Sequence, residues 1–574
     1  MKIFGFNYDL FISSICYLEG GKLQFATPEE RLIRDKNTRD FPNKSLSYIL
    51  DKYKINLDNI DYFVSSFNPG VFFNKFNPLI SSRRRHFSEH LISFPDQILR
   101  STKNDRDKLE AKYIKQNIQF LGKKLDTYFI NHHDAHIANS FYQSKFKKAL
   151  GVVVDLQGEI ASTSIYICED NKFNLIEKID YPNSIGMLYA TITEYLGFKA
   201  NSDEWKVMAI SNLSNDSKKY YNIFRKNIVN YNSNGDYDIN LKYFNSYYPL
   251  KPRLYSGHLI DILGNRNNNS HNPTKKQKDV ANALQKITTE IIHNKIKFFI
   301  NKTGIKNICC SGGVFMNCLM NGYLERKFND CKIYIPYAPD DSGNSIGAAL
   351  YLKKNILKKK FQVQNINNPY LGKSFEDKEI LKILKKYKIN FTKVSKVEEK
   401  VAKLLNDGNI IGWFQGRSEF GQRSLGNRSI LASPKVKNIK FVLNSAIKYR
   451  ESFRPFAPAV LEEKFNYYFQ SKKIRKIPFM EKIYYLRSKF RNSLSSICHA
   501  DGSARAQTVG KKNNSMFYKL IKEFEKYSEV PILINTSFNI KGDPIVDNPD
   551  DAIITFYKSG LDVLVLGNFI IKKK

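Results

Sequence analysis

Apolar and polar positions alternate at the start of the chain. IFGFNY, SSICYLE and LQFAT within residues 1–27 keep the two-residue period of half-buried strands, and Gly20-Gly21 supplies the tight turn between the last two runs. Residues 43–54 keep a helical spacing, and IDYFVSS (60–66) returns to a strand. DTYFINHHDAHIANSFYQS opens as a strand and turns helical near residue 133. A second three-strand run, broken by Gly and Asn turns, covers 149–181. Each run has an acidic residue close to the end of its first strand, Asp9 and Asp155. The same strand–turn–strand unit, met twice with an Asp at the same place, predicts a duplicated α/β domain.

That duplication is the pattern of the actin-like (ASKHA) ATPase fold. The later chain agrees with it. Residues 277–301 read as one helix, followed by a strand and the step SGGVFMNCLMNGYL (311–324). Strand, Gly312-Gly313, then helix leaves backbone N–H groups at a helix start, a place suited to phosphate. IYIPYAPDDSGNSIGAALYL (333–352) repeats the logic. Residues 353–368 are basic and polar and read as a linker, after which 369–574 alternates strands and helices again. The expected division is therefore a domain over 1–355, a linker over 356–368 and a second α/β domain over 369–574. The basic stretch 83–115 reads as a surface insertion, and 214–275, rich in Asn, Tyr and Ser, as a variable region.

Composition narrows the class. With 574 residues, 42% of them hydrophobic, the chain can bury real cores, so disorder is excluded as its main state. Lys+Arg is 91 against Asp+Glu at 55, a formal charge of +36, which raises the question of nucleic acid. The basic residues are spread along the chain rather than gathered, and Asn, Ile, Phe and Tyr are abundant beside them, as AT-rich coding would produce. Nucleic acid is not expected as the partner; a polyanion such as ATP fits either origin of the charge. The seven cysteines form no CxxC pair and are expected as reduced thiols of a cytoplasmic protein. The apolar start resembles a signal peptide only until Asn7 and Asp9 interrupt it, and no stretch of 18 apolar residues is present to cross a membrane.

Three constellations carry chemistry. His132-His133-Asp134-Ala135-His136 holds three of the nine histidines, and His132 and His136 at i and i+4 share a helix face. They read as a two-imidazole metal clamp or as solvated histidines at a polar helix start. Asp341, in PDDSGNSIGAA, can bind a metal or a ribose, or cap the helix. In GWFQGRSEFGQRSLGNRSILASP, Arg417, Arg423 and Arg428 interleave with Gly416, Gly421 and Gly426, a spacing suited to close backbone approach and bidentate phosphate binding. KYRESFRPFAP adds Lys448, Arg450 and Arg454; SARAQT adds Arg505; INTSFN adds Asn535, Ser537 and Asn539.

Taken in order, HHxxH, EWKVM (204–208), GGVFMN (312–317), GRSEFGQRSLGNRSILA (416–432), FRPFAPAVLEE (453–463), HADGSARAQTV (499–509) and NTSFN (535–539) resemble the bacterial O-carbamoyltransferases, the NodU and tobramycin-carbamoylating group, over nearly the whole length. The resemblance implies an actin-like N-terminal domain and a C-terminal YrdC-like domain. In the latter, carbamoyl phosphate loses phosphate and the carbamate attacks the α-phosphate of ATP, held with Mg²⁺, giving carbamoyladenylate and pyrophosphate. The former passes the carbamoyl group to a hydroxyl of a small-molecule or sugar acceptor. By motif position His132, His136, Asp155 and Asp341 would hold a divalent metal, Fe²⁺ in the family, acting as a Lewis acid. Gly312, Gly313 and Asn317 would sit at the adenylate. Lys448-x-Arg450 and Ser537-x-Asn539 match the KxR and SxN pairs, and with Arg423, Arg454, Arg417, Arg428, Arg505 and Asn535 they would bind carbamoyl phosphate and ATP. Lys206 would serve the adenylate or the acceptor, or else pair with Glu204.

The chain departs from the family pattern at Tyr8-Asp9, where many relatives have His-Asp, and at Ala209, Asp340 and Gln422. None removes a ligand of the expected sites. The alternative reading is a tRNA threonylcarbamoyl-type enzyme. The acceptor and the oligomeric state, a homodimer included, are not encoded legibly.

Overall fold

Six strands build the first sheet: β1 (Lys2–Asn7), β2 (Ser14–Glu19), β3 (Lys22–Pro28), β4 (Tyr62–Ser65), β5 (Tyr113–Phe120) and β6 (Lys123–Ile130), in the order β3-β2-β1-β4-β6-β5. The computed structural model describes residues 1–574 except 10, 68–111, 121, 215, 247–250, 267–271, 360–362, 472–475 and 574. The expected insertion 83–115 lies outside the described residues as far as 111, and its end, from Tyr113, is already strand. The second sheet takes β7 (Lys148–Val154), β8 (Ala161–Glu169) and β9 (Lys172–Asp180), leaves the small hairpin β10 (Val229–Tyr231) and β11 (Tyr237–Ile239) aside, and adds β12 (Asn307–Ser311) and β13 (Lys332–Tyr334), in the order β13-β12-β7-β8-β9.

The two sheets are wired alike. β1 pairs antiparallel with β2 and parallel with β4; β7 pairs antiparallel with β8 and parallel with β12. In each sheet a third strand closes the hairpin side and a further parallel strand extends the other. This repeat of order and direction is the actin-like duplication. It makes the ends of β1 and β7 equivalent, and Asp155 follows Val154 directly. The helix His132–Ser144 follows β6 and the helix Asn344–Tyr351 comes after β13, so equivalent helices supply the His and Asp segments. They pack backbone to backbone: a Cβ on Gly347 would meet the Ala135 carbonyl oxygen at 1.9 Å. The Asn131 side chain caps the first helix by accepting from the N–H groups of His133 and Asp134.

The chain forms two compact units, Met1–Ile33 with Asn37–Asn367, and Arg34–Lys36 with Asn368–Lys574. The stretch read as a linker starts inside a helical turn, Leu352–Ile356, where Lys353 and Lys354 are buried. Further on, Gln364 bonds to the backbone of Gly21 and Leu23.

The second unit is one mixed sheet of β14 (Thr392–Lys393), β15 (Ile411–Phe414), β16 (Arg428–Ala432), β17 (Ala457–Leu461), β20 (Gln507–Val509), β21 (Ile532–Ser537), β22 (Val563–Leu566) and β23 (Phe569–Lys572); a short pair, β18 (Tyr484–Tyr485) and β19 (Ser503–Ala504), stands apart. The sheet order is β14-β23-β22-β15-β16-β21-β17-β20. Successive residues feed opposite cores, as a two-residue period requires. Trp413, Leu431 and Leu533 pack on one face, against the helices Val397–Asn406 and Ser515–Ser528. Phe414, Ile430 and Ile534 pack on the other, with the helices Asp377–Lys386 and Pro549–Tyr557. No helix among the described residues is long and apolar enough to cross a membrane.

Candidate functional site

In the first unit, one turn of helix brings His132 and His136 together, both fully buried. His132 Nδ1 lies 3.2 Å from the Ser66 carbonyl oxygen, which can only accept, so Nδ1 carries the proton and Nε2 a lone pair. His136 Nδ1 lies 3.3 Å from Ser311 Oγ, whose own proton goes to the Pro339 carbonyl at 3.2 Å. The same tautomer follows. Both Nε2 lone pairs therefore face one point, 3.1 Å from each other. Asp155 Oδ2 stands 3.2 and 3.1 Å from them, and Asp341 Oδ1 3.5 and 3.4 Å. All four ligand atoms lie within 4.8 Å of one another.

Two Nε2 atoms and two carboxylates converging in a buried space need positive charge between them, a metal ion or protons on the imidazoles. Burial opposes charge on the histidines, yet the carboxylates override it: His132 is held well above the ordinary histidine range and His136 is raised. Burial alone would lift Asp155, but hydrogen bonding to the two imidazoles brings it well below the carboxylate range. Asp341 Oδ2 and Asn344 Oδ1 are buried acceptors without a hydrogen-bond donor among the described residues. Two imidazoles, two carboxylates and orphaned acceptors fit a borderline divalent ion. The other Asp155 oxygen, Oδ1, accepts from the N–H groups of Leu156 (2.8 Å) and Gly313 (3.1 Å), which turns Oδ2 toward the histidines. Glu159 accepts from the His132 N–H with both oxygens, an acid at a helix N-terminus.

The amides of the glycine step meet protein acceptors. Gly312 has φ +99, and a Cβ there would lie 2.2 Å from the Val154 carbonyl oxygen; its N–H goes to the Pro339 carbonyl at 2.7 Å. With the Gly313 N–H on Asp155, both amides hold the centre together. Asn317 caps the helix Cys318–Lys327 through Met320 N–H and exchanges amide hydrogen bonds with Gln285. Lys206 pairs with Asp203 at 3.1 Å, and burial pushes the Glu204 carboxyl up to about 7. An i, i+3 reach across the first helical turn brings the Lys206 and Asp203 side chains to one face.

In the second unit, Lys448 is buried, and its ammonium donates to Asn539 Oδ1 (2.8 Å), Asn539 O (2.9 Å), Ser537 Oγ (3.2 Å) and the Ser537 carbonyl. Ser537 Oγ donates to Asn539 Oδ1 at 2.7 Å, so the KxR and SxN segments meet at one point. Burial, then Arg450 and Arg454, hold Lys448 well below the usual lysine range; burial, then Arg454 and Arg505, depress Arg450. Four cations, Lys448, Arg450, Arg454 and Arg505, thus act on one another. Arg450 Nε is fixed by Asn444 Oδ1 at 2.7 Å, and Arg454 lies 3.5 Å from Glu451. Asn535, two residues before Ser537 on the same face of β21, donates to Gln507 Oε1 and Ser424 O and leaves Oδ1 buried with no donor among the described residues. Arg423 and Arg505 are half-buried.

Arg428 and Arg417 stand differently. The Arg428 guanidinium is fully buried, stacked 3.6 Å from the Phe414 ring and bonded to the carbonyls of Gln415, Asn427, Lys373 and Gly416. Arg417 donates to the carbonyls of Gly372 and Leu371. Both brace the glycine-rich loop from within. Glu419 does the same, taking the N–H groups of Leu425, Asn427 and Arg428. Sequence reasoning missed Ser66, Glu159, Ser311 and Asn344 around the first centre. None carries a motif of its own, although Ser311 directly precedes Gly312 and Asn344 follows Asp341 by three residues.

Comparison with known proteins bears on both units. A family model described as carbamoyltransferase N-terminus matches residues 2–350, and one described as carbamoyltransferase C-terminus matches 402–573. The chain is 33% identical over 600 residues to the uncharacterized protein sll1178 of Synechocystis, covering 98% of this chain and 95% of that one. It is 32% identical over 563 residues to the nodulation protein NolNO of Sinorhizobium fredii, covering 96% and 78%. Among solved structures, full-length HypF in its phosphate- and nucleotide-bound form aligns at a TM-score of 0.31 and 13% identity, over 63% of this chain and 56% of that one.

Proposed function

The chain belongs to the carbamoyltransferase family and is a transferase, and from that premise we propose that it is an O-carbamoyltransferase working in two steps. In the second unit, read as YrdC-like, carbamoyl phosphate is converted to carbamate and phosphate, and the carbamate attacks the α-phosphate of Mg²⁺-bound ATP to give carbamoyladenylate and pyrophosphate. In the first unit the carbamoyl group passes to a hydroxyl of a small-molecule or sugar acceptor. The observation that carries the reading is the pairing, in one chain, of the buried His132–His136–Asp155–Asp341 cluster with Lys448 held between Ser537 and Asn539.

Lys448, Arg450, Arg454, Arg423 and Arg505 bring two anionic substrates together, which water alone would keep apart. Burial and cationic neighbours disfavour the charged forms of Lys448 and Arg450, so a bound phosphate pairs with them and offsets that repulsion. Ser537 and Asn539 aim the Lys448 ammonium. Arg417 and Arg428 act through the loop they brace. At the first centre, a divalent ion such as Fe²⁺ supplies Lewis-acid polarisation of the carbamoyl carbonyl when bound. His132 and His136 offer their Nε2 atoms to it, because Ser66 and Ser311 take the other ring protons.

The test needs no acceptor. Purified protein is incubated with ATP and Mg²⁺, with and without carbamoyl phosphate, and pyrophosphate is followed. Release that requires carbamoyl phosphate, and falls about 100-fold or more in Lys448→Ala, supports the activating half. Absence of release from wild-type protein overturns the reading.

A further inference from the structure

The block HADGSARAQTV contributes Arg505 to the site described above and leaves His499 without a role. Its turn fixes that imidazole. Asp501 Oδ1 accepts from the Ser503 N–H at 3.0 Å and from the Ser503 hydroxyl at 2.7 Å. With its proton committed to Asp501, Ser503 Oγ can meet His499 Nδ1, 3.0 Å away, only as an acceptor. Nδ1 therefore carries the imidazole proton and Nε2 a lone pair. The backbone closes the turn: the His499 N–H donates to the Ser503 carbonyl at 2.7 Å, and the Gly502 N–H to the His499 carbonyl at 3.0 Å. Gly502 takes φ +79 to allow it. No hydrogen-bond partner meets His499 Nε2 among the described residues.

The surroundings are cationic. Burial first, and then Arg505 and Lys440 against the opposing Asp501, bring His499 down to about 4, so it stands neutral. Geometry ties this segment to the proposed carbamoyl phosphate site: two residues past Arg505, Gln507 Oε1 accepts from Asn535 at 2.8 Å, and two residues past Asn535 stands Ser537, whose Oγ accepts from the Lys448 ammonium at 3.2 Å. The arginines assigned to that substrate are donors with no lone pair to offer, and Lys448 Nζ is committed as a donor to Ser537 and Asn539. Loss of phosphate by attack of water needs a group that accepts a proton.

We propose that His499 is the general base for that step, with Ser503 and Asp501 as positioning residues; this rests on the two-step reading above. As the water oxygen bonds to the carbamoyl carbon, one of its protons passes to Nε2. The tetrahedral adduct then breaks its carbon–oxygen bond to phosphate, which leaves with the bonding pair and takes the proton from the imidazolium. Carbamic acid remains and loses its second proton to solvent, giving the carbamate that attacks ATP. An incoming phosphate dianion offsets the charges of Arg505 and Lys440, so base strength rises as substrate binds.

The experiment separates this step from the next. Phosphate and pyrophosphate release are followed for wild type, His499→Gln and Ser503→Ala, with carbamoyl phosphate or with preformed carbamate from ammonium bicarbonate. For His499→Gln the expected result is a 100-fold or greater fall in kcat for phosphate release, KM for carbamoyl phosphate within about threefold, and pyrophosphate release from carbamate and ATP at the wild-type rate. Ser503→Ala should lose about tenfold in the same step and keep the carbamate bypass. Equal loss with both substrates would make His499 structural, and an unchanged rate with carbamoyl phosphate would remove it from the step; either overturns the inference. Wild-type protein inactive with both substrates would instead overturn the two-step reading.

Discussion

Ser66 and Ser311 each accept at Nδ1 of His132 and His136, which decides what the first centre can do: both Nε2 atoms face Asp155 and Asp341 and are where a cation, proton or metal, is held. Replacing Asp341 by Asn keeps the shape and removes one of the two charges. Metal content after gel filtration, read by mass spectrometry, should fall from near stoichiometric to a small fraction, with affinity down about 100-fold or more. The chelated wild type should melt lower than the loaded protein, since an ion held at 1,000 times its Kd stabilises the native state by about 4 kcal/mol. A second single-residue prediction concerns Glu204, which burial lifts to about 7 from an ordinary value of 4.5. A carboxyl raised in the folded state contributes stability that is complete below the unfolded value and is lost as pH rises through the folded one. Wild type should therefore lose about 1–3 kcal/mol between pH 5 and pH 8 relative to Glu204→Gln, read from urea midpoints, and a parallel pH response in the two proteins would sink the assignment.

At the scale of elements, the centre depends on how closely two helices approach. A Cβ on Gly347 would meet the Ala135 carbonyl oxygen at 1.9 Å, and one on Gly343 would meet the Ala338 carbonyl at 2.1 Å. Gly347→Ala must push the helix Asn344–Tyr351 away from His132–Ser144, separating Asp341 from the two histidines. The expected outcome is loss of metal together with about 2–4 kcal/mol of stability, measured by metal analysis and denaturant unfolding. Retained metal at wild-type stability would mean that the helices tolerate more distance than this contact implies. The strands behind these helices were legible in the sequence because a two-residue period survives burial, and Asp155 at the end of β7 could be placed from that period alone. Gly312, Gly313 and Arg428 were not legible. A Gly-Gly step before a helix looks the same whether its amides await phosphate or hold Asp155. An arginine among glycines looks the same whether it faces solvent or, like Arg428, a ring of backbone carbonyls. Residue type states what a group can donate; only the fold states which acceptors surround it.

Over the whole molecule, the residues of the two proposed steps fall in two compact units, Lys448 in one and the His132–His136–Asp155–Asp341 cluster in the other, and Ser66, Ser311 and Asn344 reach that cluster from three distant segments. The charge of +36 is a property of the whole chain, spread rather than focused. Binding of unmodified tRNA should accordingly be weak and vanish between about 50 and 200 mM salt, without the salt-resistant component of a specific complex. The sharper consequence of the division is a dissociation of functions. Lys448 belongs to the unit of Asn368–Lys574, and Asp341 to the unit that ends at Asn367. If activation and transfer are housed separately, Lys448→Ala should abolish carbamoyl-phosphate-dependent pyrophosphate release while metal content stays at the wild-type level. Asp341→Asn should lose metal while keeping pyrophosphate release within a few-fold. The two measurements must move independently, because no residue assigned to the first reaction lies in the cluster assigned to the second. A variant in either unit that silenced both readouts while remaining folded would show that the metal centre takes part in activation as well, and the proposed order of steps would have to be abandoned.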